Sequence, residues 1–232
     1  MNWQYGVTTC PERFNTLLPA TLTSLEQAGF DKPRLFIDGE PPTIPPSYLE
    51  FTVRLPRIRA YGNWLLALWE LYFRDVEADR FALFQDDIRC CQNLCEYLER
   101  CEYPEQGYLN LCTYPGNVDM APEGLNGWYK SNQKGRGAQA LVFSREAVTT
   151  LLGSPVLAKK LVEPHTRHRS IDGKISIAMR LSKWKEYVHM PSLVDHVGRD
   201  SVIGNHRQPQ IETFLAKFNP LELLDKEKQC SA

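Results

Sequence analysis

The 232 residues are 43% hydrophobic and 11% aromatic, ample for one well-packed core and compatible with a single domain. A formal net charge of −1 with a pI near 6.5 excludes a global basic field of the kind that gathers nucleic acid or an anionic membrane, and leaves only local patches. No apolar run approaches the ~20 residues needed to span a bilayer, and seven cysteines in a chain too large to need disulfide staples predict reduced thiols, so we expect a soluble, cytoplasmic chain.

In chain order, Trp3–Thr9 reads as a first strand, and Cys10-Pro11-Glu12-Arg13 as the turn into a helix with apolar positions at Phe14, Leu17, Leu18, Leu22 and Leu25 that ends at Gly29. Residues 33–39 form a second strand running into Asp38-Gly39, and the proline-rich 41–46 is an irregular loop, because proline suits neither a helix interior nor a central strand. Residues 51–55 make a third strand. A long helix follows, in which Trp64, Leu65, Leu68, Leu71 and Tyr72 recur at helical spacing. Residues 81–84 are a fourth, buried strand. A helix near 91–101 carries several of the clustered Cys90, Cys91, Cys95, Cys101 and Cys112, which lack the paired Cys-x-x-Cys spacing of a zinc site and read as buried thiols.

Residues 107–112 are strand-like, 113–136 a long polar loop, and 138–143 a further strand leading into a helix capped by Ser144. Another helix starts at Ile171, followed by strand-like 187–190, a turn over 191–198, and a helical tail from Ile211 to Lys228. This β-α-β-β-α-β alternation predicts an α/β sandwich whose first strands are largely parallel.

The fourth strand ends in Asp86 and Asp87. In an open α/β sheet, ligands collect beyond the carboxyl ends of the strands, so a carboxylate pair there is placed to hold a hard cation such as manganese or magnesium. The alternative is structural: a strand-end turn or the N-cap of the next helix.

Together, Val7-Thr8-Thr9 with Arg13, Asp38, Gln85-Asp86-Asp87, Gly137-Ala138-Gln139-Ala140, Asp172, and His196-Val197-Gly198 with Ser201 carry a resemblance. Over roughly residues 3–204 the chain resembles the nucleotide-sugar-dependent glycosyltransferases of the GT-A fold, with Asp-Asp as a shortened form of the family's Asp-x-Asp motif. The resemblance implies a Rossmann-like α/β/α sandwich with a mixed, mostly parallel central sheet. It implies one domain over 1–232, in which 1–112 bind the nucleotide sugar, 113–207 supply the acceptor and catalytic half, and 208–232 form the tail.

The resemblance also implies a division of labour. Asp87 is the firmer metal ligand, Asp86 contacts metal or ribose, and His196 is the third ligand, with Asp195 an alternative beside it. Thr8, Thr9 and Arg13 line base and ribose, Asp38 accepts from uracil or ribose unless it is only the corner of an Asp-Gly turn, and Asn63 reaches the donor while Trp64 is core. Gly198 and Ser201 let backbone approach phosphate, and Arg199 and Arg207 add charge there or lie on the surface. Asp172 is either the general base of an inverting transfer or a helix cap.

On the acceptor side, Trp128, Tyr129, Lys130, Lys134 and Arg136, with the charged run His165–Arg169, suit a saccharide or, less well, a hydroxymethylated base in DNA; the run also reads as a solvated loop. The expected activity is therefore metal-dependent sugar transfer, with a UDP-sugar the first-choice donor. Two alternatives remain at this stage: a metal-dependent nucleotidyltransferase or phosphoesterase, and an inactive nucleotide-sugar-binding module.

Overall fold

The computed structural model describes residues 1–161, 171–198 and 211–224. Its elements in chain order are β1 (Trp3–Thr9), α1 (Pro11–Phe14), α2 (Leu18–Gln27), β2 (Arg34–Ile37), β3 (Phe51–Val53), α3 (Arg59–Arg74), β4 (Arg80–Gln85), β5 (Ile88–Cys90) and α4 (Leu94–Arg100). They continue as β6 (Gly107–Asn110), α5 (Pro115–Val118), β7 (Gly127–Lys130), β8 (Ala140–Ser144), α6 (Arg145–Leu152), α7 (Pro155–Leu161), α8 (Ile171–Leu181), β9 (Lys185–Met190) and β10 (Val194–His196).

Eight strands form one sheet in the order β3-β2-β1-β4-β8-β6-β9-β7. The first four are mutually parallel, β8 runs antiparallel to both β4 and β6, β9 is parallel to β6, and β7 closes the far edge antiparallel to β9. The sheet is thus mixed and mostly parallel, as expected. Alternation along each strand builds a core on either face. Leu35, Ile37, Ala82, Phe84, Ala140 and Val142 face α2 and α4, while Phe36, Phe81, Leu83, Leu141 and Phe143 face α3, α6 and α8. This is an α/β/α sandwich. Among the described residues, no helix is long and apolar enough to cross a membrane.

Several local expectations change. The first helix is broken after Phe14 and restarts at Leu18, so Leu17 stands at the join. The polar stretch 113–136 contains α5 and the edge strand β7, and the turn 191–198 contains β10. The tail over 211–220 is turn and irregular, with one helical turn at 221–224. Phe214, Phe218, Leu221 and Leu224 nevertheless pack on the core, so apolar burial fixes this segment without regular structure. The clustered cysteines do not share a helix: Cys90 ends β5, Cys95 lies on α4 and Cys112 follows β6.

The chain leaves the carboxyl end of β1 toward β2 on one side, and leaves that of β4 toward β5 and β6 on the other. The crevice between the ends of β1 and β4 is therefore the topological switch point of the sheet.

Candidate active site at the sheet switch point

Asp86 and Asp87 follow β4 directly into this crevice, and both are buried, at 3% and 2% exposure. They do not cap a helix. The chain turns straight into β5, whose antiparallel partner β10 sets His196 opposite Ile88. That pairing carries His196 to its neighbour 109 residues away in sequence, with Nε2 3.0 Å from Asp87 Oδ2. The amide of Val197 donates to the Asp87 carbonyl at 2.9 Å. Gly198 then crosses the carboxylate so closely that a Cβ there would meet Asp87 Oδ2 at 2.5 Å, which is why this position holds no side chain.

The other wall comes from β1 and α1. Thr9 Oγ1 donates to Asp86 Oδ2 at 2.6 Å. Arg13 Nη1 bridges the pair, 2.9 Å from Asp86 Oδ1 and 2.5 Å from Asp87 Oδ2. Both Asp86 oxygens are thus engaged. Asp87 Oδ2 serves both Arg13 and His196, whereas Asp87 Oδ1 is buried with no partner among the described residues, as is His196 Nδ1. Nε2 donates to the carboxylate, so Nδ1 lies on the side of the ring away from Asp87.

The two carboxyls differ electrostatically. Burial pushes Asp86 above its ordinary value, reinforced by the adjacent Asp87 and only partly offset by Arg13 and Thr9. For Asp87 burial acts the same way but is outweighed by His196 and Arg13, and the carboxyl sits below its ordinary value. Asp87 is the member held ionised.

Asp172 lies in the first turn of α8, and its Oδ2 accepts from the Gly137 amide at 3.0 Å. Burial raises this carboxyl, opposed by the backbone amides of Gly137, Asp172 and Ala138 and by the charge of His196. Buried Tyr114 ties the two sides together: burial raises its phenol first, and the charges of Cys112, Asp172 and Asp87 add to it. One aromatic ring therefore feels both carboxylates. Gly137, at φ 94°, lies against that ring, where a Cβ would come within 2.9 Å of it.

The structure gathers Thr9, Arg13, Asp86, Asp87, His196 and Gly198 into one cluster. Other expected site residues have internal partners. Thr8 Oγ1 donates to the Phe84 carbonyl at 3.3 Å. Asp38 accepts the Ile58 amide at 2.7 Å and lies 3.8 Å from Arg57 Nε, closing the entry to α3. Asn63 donates to the Phe36 carbonyl at 2.8 Å and accepts from Arg54 at 3.3 Å, tying β2 to α3. Asp195 pairs with Arg89 on the outer side of the β5–β10 ladder. Ser201, Arg199, Arg207 and the run His165–Arg169 lie outside the described residues.

The aromatic pair expected to face an acceptor is turned into packing instead. Trp128 stacks against Tyr97 at 6.3 Å and meets the His189 ring edge-on at 4.9 Å, and Tyr129 donates to the Asn117 carbonyl. Beneath that loop, sequence reasoning missed a buried network in which Glu186 accepts from Ser131, Asn110 and Tyr108. Asn110 in turn donates to the Arg136 carbonyl at 2.9 Å, one residue before the amide that meets Asp172. The signal available was the polar Asn110 and Glu186 within otherwise strand-like runs.

The expected three-residue metal set is assembled only in part. Asp87 and His196 touch through Oδ2 and Nε2, but Asp86 is engaged by Arg13 and Thr9. Among the described residues, no three His, Cys, Asp or Glu side chains are grouped to hold an ion. The 3.0 Å spacing of Asp87 Oδ2 and His196 Nε2 fits two ligands of one ion once their shared proton leaves, with the rest of the shell completed by water and phosphate oxygens.

Neither a protein-family model nor a curated protein matches the chain. Among solved structures it is similar to a mutant of Drosophila β1,4-galactosyltransferase 7 in complex with manganese, UDP-Gal and xylobiose, at 11% identity and TM-score 0.47, over 96% of this chain and 79% of that one. It is similar to a UTP-bound UGPase from Acinetobacter baumannii at 11% identity and TM-score 0.49, over 84% and 89%. It is also similar to a mannose-1-phosphate geranyltransferase from Thermus thermophilus at 14% identity and TM-score 0.44, over 82% and 74%. All three scores lie below 0.5, so the functional reading rests on the site itself.

Proposed function

We propose that the chain is a cation-assisted glycosyltransferase that moves a sugar from a nucleotide-sugar donor, a UDP-sugar first among them, to an acceptor hydroxyl with inversion. The observation that carries this reading is the buried contact of Asp87 Oδ2 with His196 Nε2 at 3.0 Å, beside an Asp87 Oδ1 that has no partner among the described residues, at the switch point of the sheet. A buried carboxylate oxygen without a donor is unfavourable, and a cation bound to Asp87 relieves it. Asp87, the carboxyl held ionised, also favours a cation.

In this reading Asp87 and His196 hold manganese or magnesium, and Asp86, fixed by Thr9 and Arg13, shapes the floor beneath the donor. When bound, the ion neutralises the diphosphate as leaving group. Thr9, Arg13 and Gly198 border the donor from both walls, with Thr8, Asp38, Asn63 and Ser201 as the outer reach of its site. Asp172 takes the acceptor's hydroxyl proton while that oxygen bonds to the anomeric carbon and the bond from that carbon to the phosphate oxygen breaks. A raised carboxyl suits this role, because it is a better base than an ordinary aspartate. Residues 1–112 then bind the donor and 113–207 meet the acceptor, a saccharide, past exposed Lys134 and Arg136.

The test is an endpoint assay of UDP-, GDP- and CMP-sugars with manganese or a chelator, reading released nucleotide and the anomeric configuration of the product by NMR. The expected result is nucleoside diphosphate released only with the ion and a product of inverted configuration. Release of pyrophosphate from a nucleoside triphosphate and a sugar phosphate would make it a nucleotidyltransferase instead. Transfer to hydroxymethylated DNA and not to oligosaccharides would replace the acceptor class.

A further inference from the structure

Two carboxylates on consecutive buried residues repel each other, and one guanidinium nitrogen bridges them in this structure. Arg13 Nη1 sits 2.9 Å from Asp86 Oδ1 and 2.5 Å from Asp87 Oδ2, so it bridges one oxygen of each. The Arg13 side chain is 13% exposed against 4% and 2% for the carboxylates it bridges, and it springs from the four-residue α1 at the outer wall of the crevice. The guanidinium thus reaches inward from the donor side. It places one positive charge on Asp87 Oδ2, the oxygen that also meets His196 Nε2.

We propose that Arg13 is a built-in counter-cation that competes with the divalent ion, and that it is released from the carboxylates onto the donor's diphosphate when ion and donor bind together. The inference rests on the cation reading of Asp87 and His196. A guanidinium and a divalent ion beside the same Asp87 carboxylate repel each other, so Arg13 weakens ion binding as long as it stays. A diphosphate is the new anion that a displaced guanidinium matches, by paired N–H···O contacts. Ion and donor then strengthen each other's binding by the same factor. Without donor, the Arg13 bridge keeps the carboxylates paired and the ion weakly held.

The experiment measures free manganese by electron paramagnetic resonance with wild type, Arg13→Met and Arg13→Lys, each with and without UDP. For wild type, UDP is expected to tighten manganese binding by about tenfold or more, within the usual range of coupling between sites. Arg13→Met is expected to bind manganese alone about tenfold tighter than wild type and to lose most of the UDP effect, while Arg13→Lys keeps part of it. Manganese affinity unchanged or lowered in folded Arg13→Met, with wild type binding the ion, overturns the role of Arg13 and leaves the cation reading standing. No binding to any form, with or without UDP, removes the cation reading and this inference with it. Should Arg13→Met fail to fold, the guanidinium 15N resonances of Arg13 in wild type give the answer: they shift when magnesium and UDP are added, and resonances that stay put contradict the proposal.

Discussion

His189 on β9 and His196 on β10 lie on neighbouring stretches of chain, both shielded from water, and are treated in opposite ways. His189 is fully buried, with Nδ1 donating to the Pro191 carbonyl at 2.7 Å and Nε2 accepting from the Tyr97 hydroxyl at 3.0 Å. Burial, partly opposed by the Pro191 carbonyl, pushes it down to about 4. His196 spends one nitrogen on Asp87, and among the described residues the other has no partner. The same contrast separates two acidic groups: Glu186 has three side-chain partners, while one Asp87 oxygen has none among the described residues. A satisfied polar network specifies architecture, and an unsatisfied one in a crevice at a switch point marks chemistry.

The contrast is tested most severely on its chemical side. Asp172→Asn removes the proton acceptor and should lower the transfer rate by about 10²–10⁴, the range a general base contributes, with donor affinity and melting temperature nearly unchanged. A variant that transfers at the wild-type rate would return Asp172 to holding the Gly137 amide alone. On the architectural side, His189→Ala should cost about 3 kcal/mol of stability by denaturant unfolding, because it empties a packed site and strands the Tyr97 hydroxyl. His196→Ala should cost under about 1 kcal/mol and abolish cation-dependent donor binding. Reversed magnitudes would invert the distinction between the two residues.

A pH series sharpens it further. His189 is depressed in the folded state, so the unfolded chain takes up its proton first as pH falls. Its contribution is complete above pH about 6.5, falls between there and pH about 4, and totals about 3 kcal/mol for a shift of this size. His189→Phe should flatten that limb in urea melts taken across the window. The smallest effect belongs to a residue on neither side: Ser144 accepts from the Ala147 amide as the N-cap of α6, and Ser144→Ala should cost about 1 kcal/mol with donor binding untouched.

Much of the frame was legible because it is local. Alternating apolar runs placed β1, β2 and β4, helical spacing placed α3, and the charged end of β4 placed Asp86 and Asp87. What escaped was set by long-range pairing. β5 and β10 have three residues each and stabilise one another, so neither carries a pattern of its own. β7 is an edge strand recognisable by its partner β9, inside a stretch rich in glycine and asparagine. The tail packs by scattered aromatics without helical spacing.

The site shows the same division. The charged end of β4 pointed to Asp86 and Asp87 and the resemblance to His196 and Asp172, and the fold brings His196 onto Asp87. Arg13 was expected against base and ribose, but its bond to both carboxylates spans over seventy residues of sequence and depends on how α1 leaves β1. Trp128 and Tyr129 looked free to face a sugar. Their burial follows from β7, which the sequence pattern did not reveal.

The most direct test of the central claim, that Asp87 and His196 hold an ion for a nucleotide-sugar donor, is a thermal-shift panel of sugar nucleotides with and without manganese, run on wild type and Asp87→Asn. The account predicts a rise of about 5 °C or more for one nucleotide family at roughly hundredfold excess over Kd, present with manganese and absent in Asp87→Asn. A shift of equal size without the ion, or one that survives in Asp87→Asn, would contradict it.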